Sequence, residues 1–203
     1  GGGAGAGGGA RMPACGVGAL AGASGPAEPC LHLPAGVLDA PKRWPFVKEW
    51  VGSAKSPRPA AWVVSATRYQ KGEAIERIAM TQESGKPVKP ATVCNHIFTA
   101  VTAGWPMQLQ AVAEMMPAPT QTEWEAMERA EAALGLDIQT AEKYTKTDVL
   151  AVFLAAAVKP FTDRTEEDNA LLGPWMDRLA WYETFRRAGI EPTFGPAAKR
   201  MRT

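Results

Sequence analysis

The sequence holds little with which to do chemistry. Among its 203 residues only two are histidine and three are cysteine. His32 and His96 lie far apart, and Cys15, Cys30 and Cys94 form no Cys-x-x-Cys pair, so the spacing of a zinc site is missing. Three unpaired thiols fit a reducing, intracellular compartment. There is no Gly-x-x-x-x-Gly-Lys-Ser/Thr loop, which excludes P-loop nucleotide hydrolysis by this chain, and no Asp-Glu-x-His motor motif. Glu166, Glu167 and Asp168 have no histidine or second carboxylate cluster at metal-ligand spacing and read as a helix start. No catalytic residue, metal ligand or cofactor site is assigned. No apolar run reaches the roughly 18 residues of a transmembrane helix, so no membrane partner is expected. The N-terminus also lacks the charged start and Leu-rich core of a signal peptide.

What is present is unevenly placed. Gly1 to Gly25 is almost all Gly and Ala with no aromatic residue, and prolines continue the irregular character to about Asp39. Such a stretch buries too little to offset its backbone entropy, so residues 1–41 are expected to be a disordered tail or linker. The chain begins with Gly1 and not Met, which suggests a fragment or a truncated start, with Met12 a possible internal one. The charge divides in two. Residues 42–104 carry a net +6 and residues 105–195 a net −7, and the last eight residues, 196–203, form a basic tail of +3. Two surfaces with different partners are implied, the basic one suited to phosphates.

Hydrophobic spacing predicts helices. Trp62 to Gln70 is a first, ended by Gly72 in the left-handed cap position. Glu73 to Thr81 is a second, with Ile75, Ile78 and Ala79 on one face. A third starts at Pro90, carries Val93, Ile97, Ala100 and Val101, and stops at Gly104. Downstream, a helix over Thr122–Leu134 opens on an apparent capping box, Thr122 to Glu125. Thr147–Val158 reads as a buried apolar helix and Pro174–Ala188 as an amphipathic one. No alternating strand pattern exceeds four residues. The fold class expected is therefore all-α: a three-helix module over 62–116, then a small helical bundle over 120–195. Gly52 to Pro59 looks like a linker. Trp44, Phe46 and Trp50 are expected to dock on the folded part, with an exposed aromatic peptide for a partner as the alternative.

One segment carries a resemblance. Gly72, Ile75-x-x-Ile78-Ala79, then Thr92-Val93-x-x-His96-Ile97 and an Ala103-Gly104-x-Pro106 exit form an ordered set. Together they resemble the helicase helix-turn-helix domain at the C-terminus of RecQ/Werner-type DNA helicases. The resemblance covers about a quarter of the 203 residues. One departure is the turn Thr81–Val88, longer than usual and containing Gly85 and Pro87.

The resemblance implies a non-catalytic DNA-interaction module of a nuclear helicase acting in repair or recombination, its motor domain elsewhere in the full-length protein. The third helix would then present Thr92, Asn95, His96 and Thr99 to DNA, with Arg68, Lys71, Lys86 and Lys89 supplying charge. Plainer roles stand beside these. His96 can be a structural hydrogen bonder, Asn95 and Thr99 solvated positions, and Lys86 and Lys89 turn residues that aid solubility. Residues 65–104 hold only five basic against three acidic groups. Glu123, Glu125, Glu128 and Glu131 recur along one helix, either as a solvated face or as a docking face for a basic partner. A sequence-specific helix-turn-helix regulator and a helical protein-interaction adaptor remain the alternatives.

Overall fold

The structure, a computed structural model, describes residues 28–195. Three helices lie within two residues of the predicted bounds: α1 over Ala61–Gln70, α2 over Ile75–Met80, which starts two residues after Glu73, and α3 over Pro90–Thr102, which starts at the expected Pro90. Gly72 and Gly104 stand at φ +85° and +84° behind α1 and α3, a backbone that a side chain resists. Ile75, Ile78, Val93, Ile97 and Val101 are buried, and Tyr69 packs against them. Ala79 is also buried, at the crossing of α2 with its neighbours. Burying each such aliphatic side chain contributes about 1.5–3 kcal/mol, so α3, packed on both α1 and α2, is the element around which the core forms.

Five helices follow: α4 over Gln110–Met115, α5 over Gln121–Ala133, α6 over Lys146–Ala151, α7 over Ala155–Val158 and α8 over Glu166–Ala188. α8 lies across α3. Phe98 and Trp181 meet edge-on with centroids 4.7 Å apart, and the Trp181 indole donates to the Met116 carbonyl at 2.8 Å. Trp124 on α5 meets Tyr182 on α8, also at 4.7 Å. Details differ from the sequence pattern. The α5 capping box is Thr120 with Glu123, two residues before Thr122. The apolar stretch 147–158 is broken between α6 and α7, leaving Val152 and Val158 exposed. α8 starts at a second capping box, Thr165 with Asp168, and runs through Pro174 to end at Gly189. The three acidic residues of its first turn suit the positive end of the helix.

The all-α expectation is overturned. About 50% of the structure is helical and 10% is strand, so the fold is mixed α and β. The strands form three antiparallel pairs. β1 (Cys30–Leu31) pairs with β6 (Phe194–Gly195), and β2 (Val37–Leu38) with β5 (Met107–Gln108). β3 (Trp50–Ser53) and β4 (Ser56–Pro59) form a hairpin. Two-residue strands carry no alternation to detect, and the prolines of β4 disguise it as a linker. Residues 28–41, assigned to the tail by composition, are held: Leu31 is buried, and its amide donates to the Pro119 carbonyl at 2.9 Å. The rest of the expected tail, residues 1–27, and the basic segment 196–203 lie outside the described residues.

Candidate nucleic-acid interface

α3 is a helix with most of its surface used. Val93, Cys94, Ile97, Phe98, Ala100, Val101 and Thr102 are buried as α3 packs on α1, α2, α4 and α8, with Phe98 meeting α8 and Cys94 meeting Met115 of α4. Burial pushes the Cys94 thiol up to about 11, which removes it as a thiolate nucleophile. The stripe that reaches solvent holds Thr92, Asn95, His96 and Thr99, the four residues that the resemblance aims at DNA.

Their polar atoms are largely engaged within the protein. His96 Nδ1 lies 2.9 Å from Ser65 Oγ, joining α3 to α1, and burial holds its pKa below the ordinary histidine value. The Asn95 amide donates to the Ala91 carbonyl at 3.0 Å, and the Thr99 hydroxyl donates to the Asn95 carbonyl at 2.8 Å. Reading a base edge would mean exchanging these bonds. Between α3 and α8 runs a groove of about 270 Å³, lined in part by Asn95, Thr99, Lys146, Glu183 and Arg187. Its charges are matched internally: Glu183 takes Lys146 at 2.6 Å and also Arg187.

The cations divide into two kinds. Arg68 donates to both carboxylate oxygens of Glu73, at 2.7 and 2.5 Å, and to the Thr81 carbonyl at 2.7 Å. It thus braces the end of α1 against the end of α2, and its hydrogen bond holds the Glu73 carboxyl below its ordinary pKa. Arg77 lies 3.4 Å from the same carboxylate. Lys71, Lys86 and Lys89 are exposed and have no ion-pair partner among the described residues. Lys89 is the N-cap residue of α3, whose first turn has no side-chain cap. Lys89 therefore stands at the positive end of a 13-residue helix, and Lys86 lies in the turn before it.

Known proteins add nothing to this geometry. No protein family, curated protein or solved structure matches the chain.

Two features escaped the sequence pattern. One is the β3–β4 hairpin, which brings Lys55 and Arg58 into the basic region and leaves every one of its residues exposed. Gly52 between Trp50-Val51 and the prolines was its one available signal. A groove of about 590 Å³ separates the hairpin from the α2–α3 turn, with Val51, Arg58, Val64 and Glu83 in its walls. The other is that the acidic series of α5 is not one surface. Glu123 serves the cap and meets Arg178 at 2.6 Å, and Glu131 is buried, so only Glu125 and Glu128 remain as an outward face. Among the described residues no group of His, Cys, Asp and Glu is placed to hold a metal ion, and no helix is long and apolar enough to cross a membrane.

Proposed function

We propose that this chain is a non-catalytic DNA-contact module of the RecQ/Werner helicase helix-turn-helix kind, and that it grips DNA chiefly through phosphates. The observation that supports this is the division of polar groups on the α1–α2–α3 unit. Asn95, His96 and Thr99 on α3 spend their hydrogen bonds internally, whereas Lys89 at the uncapped N-terminus of α3, Lys86 in the turn before it and Lys71 at the end of α1 stand exposed and unpaired among the described residues. Phosphate contacts position a protein on DNA without specifying sequence, which suits an accessory element that serves a motor carried elsewhere, in a helicase of nuclear repair or recombination.

The test is fluorescence anisotropy across a salt series, on duplex, forked and single-stranded DNA. The variant K71A/K86A/K89A should bind all sequences more weakly, and its salt slope on duplex should fall by about 2.7, at about 0.9 per lost phosphate contact. N95A/T99A should leave sequence preference unchanged. A triple variant with the parent's affinity and slope overturns the phosphate surface. A parent chain with no salt-dependent binding to any of the three forms overturns the DNA reading and leaves the adaptor in its place.

A further inference from the structure

The β3–β4 hairpin is a built feature. Its first strand is anchored just before it starts, where the Trp62 indole donates to the Lys48 carbonyl at 2.9 Å, and its second just after it ends, where the Ala60 amide donates to the Glu49 carbonyl at 2.7 Å. The turn needs Gly52, at φ +100°, because a Cβ there would lie 2.6 Å from the Ser56 carbonyl oxygen. Opposed residues in an antiparallel pair share a face. Val51 and Arg58 are opposed and line the groove beside α1. Trp50 with Pro59, and Gly52 with Pro57, make up the other face.

That second face is apolar and bare. Trp50 is 62% exposed, a costly position for the largest side chain unless something stacks on it. The surrounding charge indicates what does. Residues 42–59 hold five basic groups and one acid, Glu49, which Arg43 neutralises at 2.8 Å. Lys48 and Lys55 have no ion-pair partner among the described residues. An exposed indole flanked by prolines, with an unpaired lysine just before its strand and another in the hairpin turn, matches a strand of unpaired nucleotides, with a base against the ring and phosphates beside the lysines. Duplex DNA keeps its bases stacked inside and offers no such face.

We infer that the β3–β4 hairpin is a stacking site for single-stranded nucleic acid, with Trp50 as the platform and Lys48 and Lys55 as the phosphate contacts. The inference uses different side chains from the proposed duplex-binding surface and rests on the nucleic-acid reading only for its class of ligand.

Anisotropy with labelled oligothymidylate, oligouridylate and a duplex tests it in the full chain. W50A should weaken oligothymidylate binding by roughly 10-fold, the scale of one lost base–aromatic stack, and leave duplex binding unchanged. W50F, which keeps a ring, should recover most of the loss. K48A/K55A should lower the single-strand salt slope by about 1.4, at about 0.7 per contact. The oligouridylate arm decides whether RNA is taken as well as DNA. Circular dichroism checks that each variant stays folded, which the exposure of Trp50 favours. Single-strand binding by W50A equal to the parent's, or no single-strand binding by the parent, overturns the hairpin site. If K71A/K86A/K89A weakens duplex binding while W50A changes nothing, the proposed function stands and this inference fails. The reverse pattern keeps the hairpin and removes the lysine surface.

Discussion

Glu131 is an acid where acids are expensive, only 5% exposed between α5 and α8. Its Oε1 accepts the Ile138 amide at 2.7 Å, its Oε2 accepts the Tyr182 hydroxyl, and the Arg186 guanidinium approaches within 3.4 Å. Three segments thereby share one carboxylate: α5, the loop after it and α8. Glu131→Ala leaves two buried donors unpaired, at about 1–3 kcal/mol each, and strands a half-buried cation. Because these costs overlap, they are not summed, and breaking one member of a buried pair gives a total of about 3–5 kcal/mol. Folded domains hold only about 5–15 kcal/mol in all. For a domain of this size the loss translates into a fall of about 6–20 °C in the melting midpoint. Urea titration followed by circular dichroism reads the same quantity. Glu131→Gln keeps one acceptor oxygen and should lose distinctly less. A Glu131→Ala chain destabilised by less than about 1 kcal/mol would refute the reasoning and return Glu131 to the solvated face that its spacing suggests.

The clasp between His96 and Ser65 makes stability depend on pH. Burial lowers the folded pKa of His96, so the unfolded chain takes up the proton first as pH falls; stability is full above the ordinary value of 6.5 and drains away below it, down to the folded pKa. Urea midpoints taken at about pH 7.5 and about pH 5.5 should show the decline in the parent and lose its histidine part in His96→Gln; equal slopes in the two would remove His96 as the cause. Gly52→Ala should open the hairpin at a local cost of about 1–3 kcal/mol. Loss of amide-exchange protection over residues 50–59, with the global melt little moved, is the expected signature, and unchanged protection there would contradict the strain at Gly52.

The three helices around which the core forms were legible because their punctuation is local. Gly72, Pro90 and Gly104 act through backbone conformation at a single residue, and the apolar spacing between them has one consistent period. The strands were not legible, because what makes them is distant. Leu31 is extended where Phe194 lies beside it, and Val37 where Gln108 does, and no window of neighbouring residues contains that information. Pro174 misled in the opposite direction. It looks like a helix start, but the Thr165–Asp168 box had already begun the helix, which then tolerates the one amide that Pro174 cannot donate. Site residues followed the same division. Exposure of Lys71, Lys86 and Lys89 follows from local polarity, whereas the role of Arg68 depends on Glu73 and Thr81 converging on it. The role of His96 depends on Ser65, 31 positions away. Trp50 was visible as an aromatic of uncertain fate, docked or offered to a partner, and only the hairpin register puts it on a bare face.

The pairing of β1 with β6 sets Cys30 opposite Gly195. The two ends of the described residues thus meet at one doorway, with neighbouring strands only about 5 Å apart. Two attached segments would be brought together without a linker spanning the protein. The same closeness means that a short bridge across the doorway, with a cut in an exposed loop such as Thr81–Val88, should give a permuted chain with the same core.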